Sequence, residues 1–171
     1  MSLNSFRFED PKHFVIGTIG LPGEREFFLQ IGNGENVYSF ALEKSQAEGL
    51  ARKSIQMLQD LNLKKQVGNY RFQLITPLES EFQIGVITIT WRPESEKFHI
   101  EVEGIDDASE NEFAEGSKRL VIIVSPDLLI AFSSHTLEVV AAGRQPCLFC
   151  GGPINSDGHL CPRSNGYRRL G

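Results

Sequence analysis

All three cysteines of this 171-residue chain lie close together near its end, at Cys147, Cys150 and Cys161. The first two are separated by two residues, a spacing that lets one tight turn direct both sulfurs towards a single ion. Gly151 and Gly152 follow, and glycine adopts positive φ without a steric penalty, so the chain can fold back around the sulfurs. Thiolate ligands suit Zn²⁺, which prefers four nitrogen or sulfur donors in a tetrahedron. This stretch therefore predicts a structural zinc site of the zinc-knuckle type.

His159 is the predicted fourth zinc ligand. It lies two residues before Cys161, and residues i and i+2 of an extended segment point to the same side. A lone histidine is nevertheless often just a polar surface residue, so other ligands remain open in the fourth position. They are Asp157, His13, His99 and His135.

Three other interpretations of the cysteines are less well supported. A disulfide would leave one thiol over, and nothing in the sequence indicates an oxidising compartment. A redox C-x-x-C motif normally opens a helix after a strand, whereas this one follows a predicted helix and runs into Gly-Gly-Pro. Plain core cysteines remain the third alternative. The zinc interpretation explains the clustering best.

Charge is distributed unevenly along the chain. Residues 144–171 carry a net charge of +3, which leaves −8 for residues 1–143 because the whole chain is −5. An acidic body with a small basic tail is not typical of a duplex-binding protein. Residues 1–10 hold no apolar run of the kind found in a signal peptide, and no stretch approaches the length of a membrane span. We therefore expect a cytoplasmic protein without a membrane segment.

The order of predicted elements is the same in two parts of the chain. Three strands precede a helix in each part, and an Asn33-Gly34 pair marks a hairpin between the second and third strands of the first part. Ser125 followed by Pro126 marks the start of the second helix. The predicted strands are 13–20, 25–31, 37–42, 82–91, 98–103 and 119–124. From Glu43 the apolar period changes from two to three and four, which predicts a first helix that ends near Leu61, and the second predicted helix ends near Gly143.

This order predicts an α+β fold. A tandem β-β-β-α repeat, with halves at about 1–62 and 81–143, would form an antiparallel sheet covered by two helices. The acidic stretch 106–116 is an insertion in the second half and is expected to be a solvated loop. Residues 1–143 would form this body, and residues 144–171 a small zinc-binding module.

The sequence also resembles a known family. The tail, residues 147–169, has the pattern C-x-x-C followed by G-H-x-C-P-R-x-N-G-Y-R-R. Residues 14–23, 27–30, 41–46 and 142–147 extend the likeness to nearly the whole chain. These stretches resemble the bacterial domain-of-unknown-function family 3090. That family has no established activity, so the resemblance supports the zinc ligands and implies little about function.

Three classes of function are compatible with these observations. The preferred one is a non-enzymatic adaptor that binds an unidentified protein, with zinc holding a tail that presents the contact residues. The alternatives are single-stranded nucleic-acid binding through the basic tail and, less favoured, a metal-dependent enzyme. Four candidate ligands indicate a closed, structural site, and no catalytic motif is evident. The predicted contact residues are Arg163, Asn165, Tyr167, Arg168 and Arg169.

Overall fold

A computed structural model describes residues 5–63, 68–105, 117–143, 146–152, 154 and 160–161. In these ranges the chain forms one seven-stranded sheet and two helices. The strands and helices are β1 (Ser5–Glu9), β2 (His13–Ile19), β3 (Glu26–Asn33), β4 (Asn36–Leu42), α1 (Lys44–Asp60), β5 (Ser80–Arg92), β6 (Lys97–Gly104), β7 (Arg119–Val124) and α2 (Pro126–Ala141). Neither helix is long and apolar enough to cross a membrane.

The sheet is mixed, which corrects the prediction of an antiparallel sheet. Its strand order is β1-β7-β6-β5-β4-β3-β2. Two pairs, β4 with β5 and β1 with β7, are parallel, and the other pairs are antiparallel. The connection from β4 to β5 contains helix α1, and such a crossover returns the chain to the end at which the previous strand began. The α+β class is confirmed, while the tandem repeat stays a prediction.

Strand β1 was not predicted from the sequence. It lies at an edge of the sheet, yet the ring of its Phe6 stands 5.2 Å from that of Phe40 on β4 and 6.3 Å from that of Phe82 on β5. Three strand spacings separate β1 from β5, which would be about 14 Å in a flat sheet. The sheet is therefore curved around the core. At the opposite edge, Phe14 of β2 stacks on Phe132 of α2 with a centroid separation of 3.9 Å.

The two helices begin as the sequence predicts. Ser125 accepts a hydrogen bond from the amide of Leu128 at 3.3 Å, and Pro126 is the first residue of α2. At the start of α1, the amide of Glu43 donates to Oε1 of Gln46 at 2.8 Å. The buried side of α1 is formed by residues three and four apart, as its apolar period indicates. These residues are Ala47, Leu50, Ala51, Ser54 and Leu58.

Two residues of the irregular segment 68–79, Leu74 and Ile75, lie on the face of the sheet that the helices leave uncovered. Gln30 of β3, which is only 2% exposed, accepts from the amide of Ile75 at 2.7 Å and donates to its carbonyl at 3.0 Å. Leu74 lies over Gly17, where a Cβ atom would stand 2.6 Å from the Leu74 Cγ. Residues 74 and 75 are thus held by one buried amide side chain and by contact with one glycine.

Candidate metal centre

A tight turn at residues 147–152 places the first two cysteines. The amide of Gly151 donates to the carbonyl of Cys147 at 2.8 Å, and the amide of Cys147 donates to the carbonyl of Gly152 at 2.8 Å. Gly151 has φ +72°, a conformation that side-chain-bearing residues rarely adopt. Gly151 therefore permits this turn, as the sequence predicts.

The turn brings the sulfurs of Cys147 and Cys150 close to the sulfur of Cys161. All three Sγ atoms lie within 4.8 Å of one another, and those of Cys147 and Cys161 are 3.7 Å apart. A disulfide bond requires about 2.05 Å, and no disulfide joins any two of these three cysteines. Three sulfurs converging in this way can hold a metal ion.

Two backbone amides donate to the sulfurs. The amide of Phe149 lies 3.4 Å from Sγ of Cys147, and the amide of Gly152 lies 3.4 Å from Sγ of Cys150. The Gly152 amide lowers the pKa of the Cys150 thiol, but burial and the neighbouring sulfurs of Cys161 and Cys147 outweigh it, so that the pKa is raised. Without a cation, three adjacent thiols resist joint ionisation, because each thiolate disfavours the next. A bound metal ion would supply the missing positive charge.

At this site two of the cysteines are buried, whereas the apolar side chains beside the cysteines are exposed to solvent. Cys147 and Cys161 are 7% and 3% exposed. By contrast Leu148, Phe149 and Leu160, each adjacent in sequence to a cysteine, are 97%, 63% and 87% exposed. We call these three side chains the apolar trio. They were not predicted as site residues. Their position beside cysteines in a tight turn was a visible signal, because cysteines that point inwards leave their neighbours outside.

The other predicted site residues fall into two groups. One group lies outside the described residues, so its placement stays a prediction: Asp157, His159, Arg163, Asn165, Tyr167, Arg168 and Arg169.

The second group consists of the three histidines of the body that were open as the fourth ligand. Nε2 of His13 lies 2.8 Å from Oε1 of Gln30, and the ring of His135 stacks on Phe72 with a centroid separation of 4.8 Å. Burial lowers the pKa of His135, with a smaller opposing effect from Glu138. His99 is part of β6. Among the described residues, the group that could hold a metal ion contains the three cysteines and none of these histidines.

Comparison with known proteins finds a match to one family model. The model of a family described as a protein of unknown function, DUF3090, matches residues 6–161 of this chain. The match includes all three cysteines. No curated protein and no solved structure matches the chain.

Proposed function

Because this chain belongs to the DUF3090 family of proteins of unknown function, we propose a function from its own site: a cytoplasmic zinc protein that docks another protein without catalysing a reaction. Zinc would hold the module 144–171 in shape, and the module would present the contact surface. The observation that carries the proposal is the combination of converging sulfurs with the apolar trio around them.

The distance between sulfurs supports zinc as the metal. Zn–S bonds are about 2.3 Å long, so two sulfurs of a tetrahedral site stand about 3.8 Å apart. The 3.7 Å between the sulfurs of Cys147 and Cys161 agrees with that value. His159 is the proposed fourth ligand, since it lies two residues before Cys161.

A structural role fits this donor set better than a catalytic one. A catalytic zinc site usually keeps three protein ligands and an open position for water, whereas structural sites close with four ligands rich in cysteine. The amide–sulfur hydrogen bonds from Phe149 and Gly152 stabilise thiolates that remain on the metal. Zinc would therefore act here by folding the module.

The exposure of the apolar trio supports protein docking as the function of the module. Exposed leucine and phenylalanine side chains are costly in water when clustered, and buried aromatic anchors contribute strongly to protein interfaces. The tail beyond Cys161 adds Tyr167, Arg168 and Arg169, which we propose to pair with carboxylates of the same partner. The expected partner thus offers an apolar groove with an acidic rim.

Elemental analysis of metal-replete protein tests the zinc site. We expect about one zinc per chain, lost in the double variant Cys147→Ser, Cys150→Ser. A cobalt-substituted sample should show the visible spectrum of a tetrahedral, thiolate-rich site. Zinc retained in the double variant would refute the site, and an octahedral cobalt spectrum would indicate water ligands and favour an enzyme.

Docking is tested separately from metal binding. Phe149→Ser and Tyr167→Ala should each abolish capture of a partner from native extract while zinc content stays unchanged. Leu21→Ser is the matched control, because Leu21 is 67% exposed on the body. Equal loss of capture in the control would contradict a surface centred on the module. Tight, strongly salt-dependent binding of single-stranded RNA or DNA would instead favour the nucleic-acid alternative.

A further inference from the structure

A cleft in the body is lined by two cationic side chains that lie close together. It has a volume of about 790 Å³ and lies between the start of β3, the end of β4, the start of α1 and the end of α2. Arg25 and Lys44 both line it, together with Gly143. A Cβ atom added to Gly143 would stand 3.2 Å from Nη2 of Arg25 and 3.7 Å from Nζ of Lys44. The space beside this glycine is therefore shared by a guanidinium and an ammonium group.

Arg25 is held in place by two contacts of its own. Its Nη1 donates to the carbonyl of Val139 near the end of α2 at 3.1 Å, and the guanidinium carbon lies 5.3 Å from the centroid of the Phe27 ring. These contacts fix the guanidinium and leave Nη2 directed towards Gly143. A positioned guanidinium loses little side-chain entropy when it binds a ligand.

Among the ion pairs of the described residues, none includes Arg25 or Lys44. Glu26 and Glu43 also line the cleft, but both are exposed to solvent.

We propose that this cleft binds the phosphate group of a small molecule. One phosphate oxygen would occupy the space beside Gly143, where it lies close to both nitrogen donors, and a second oxygen would use the fork of the Arg25 guanidinium. A phosphate is favoured over a carboxylate because it carries more charge and offers more acceptor oxygens to two cations. The 790 Å³ cleft leaves room for the remainder of the ligand. This site is independent of the cysteine module and of the function proposed for it.

Inorganic phosphate is the probe for the test, applied to the full metal-loaded chain. Nuclear magnetic resonance should show saturable shifts of the backbone amides of Lys44 and Gly143. Lys44→Gln should weaken binding about fivefold, as expected for the loss of one partly exposed charge contact. Lys53→Gln is the matched control, because Lys53 is an exposed lysine of the same helix that does not line this cleft. Equal weakening in both variants, or shifts that do not saturate, would overturn the proposal.

Two further variants test the position of the ligand without removing a cation. Gly143→Ala adds a methyl group between the Gly143 backbone and the proposed oxygen position and should weaken phosphate binding while the unfolding temperature stays unchanged. Glu26→Gln removes a negative charge from the cleft and should strengthen binding. Unchanged affinity in Gly143→Ala would refute the position. Acetate should bind more weakly than phosphate, and equal affinity for the two anions would refute the assignment to phosphate.

Discussion

The body and the cysteine module of this protein hold their shape by different means. In the body, apolar side chains from the sheet and both helices form one core, in which Phe40, Phe98 and Phe132 are fully buried. In the described part of the module, Cys147 and Cys161 are buried, while the apolar trio beside the cysteines is exposed. The hydrophobic effect thus stabilises the body, and we propose that metal–ligand bonds do the same for the module.

This difference would let a short segment present apolar side chains to the partner we propose. A segment that folded by burying its leucines and phenylalanines would have none left for docking. In the proposed zinc form, metal ligation would replace the apolar core, and the exposed side chains beside the cysteines would contact the partner. Small domains with few apolar residues commonly use metal ions in this way. The following predictions test whether the two regions are stabilised separately.

The largest effect is expected from Phe132→Ala in helix α2. Phe132 is fully buried and stacks on Phe14 of β2 at 3.9 Å, so the change leaves a cavity between the helix and the edge strand. We expect the free energy of unfolding to fall by about 3–5 kcal/mol. Denaturant unfolding followed by circular dichroism measures it. Phe149→Ala is the control, and a comparable loss there would show that the module contributes to the stability of the body.

A smaller effect is expected from Gln30→Leu in strand β3. The side chain of Gln30 bonds both backbone groups of Ile75, the hydroxyl of Ser39 and the ring of His13. Leucine cannot form these hydrogen bonds, so donors and acceptors around position 30 lose their partner. We expect the free energy of unfolding to fall by about 1–3 kcal/mol. Gln56→Leu, an exposed change on α1, is the matched control. If the two variants unfolded at the same denaturant concentration, segment 68–79 would not depend on Gln30.

The smallest effect on the body is expected from removing the metal. Chelation, or truncation to residues 1–143, should change the free energy of unfolding of the body by less than about 0.5 kcal/mol, since changes that do not touch the core have effects of this size. Amide resonances of the module should shift on chelation while those of the sheet stay in place. Cooperative loss of the sheet on chelation would mean that the two regions fold as one unit.

Much of the fold follows from local patterns in the sequence. The helix start at Ser125 and Pro126 and the period of apolar residues in α1 were predicted, because capping and amphipathicity act between residues a few positions apart. Strand β1 was missed, since an edge strand of five residues carries little local signal. The two parallel pairings were also missed, because pairing depends on where a crossover returns the chain.

The cysteine site and the cleft at Arg25 and Lys44 also combine features set by local sequence with features set by tertiary packing. The sequence by itself determined the cysteine turn, because the C-x-x-C spacing and Gly151 confine the backbone locally. The sequence also predicted Cys161 as a ligand beside Cys147 and Cys150, and the structure brings the three sulfurs within 4.8 Å of one another. Only the tertiary structure decided that the apolar trio stays exposed. It alone also brought Arg25 and Lys44 together beside Gly143, residues separated by up to 118 positions whose contact depends on how both helices pack against the sheet. Local sequence patterns carry no information about such distances, because these are set by the packing of the whole core.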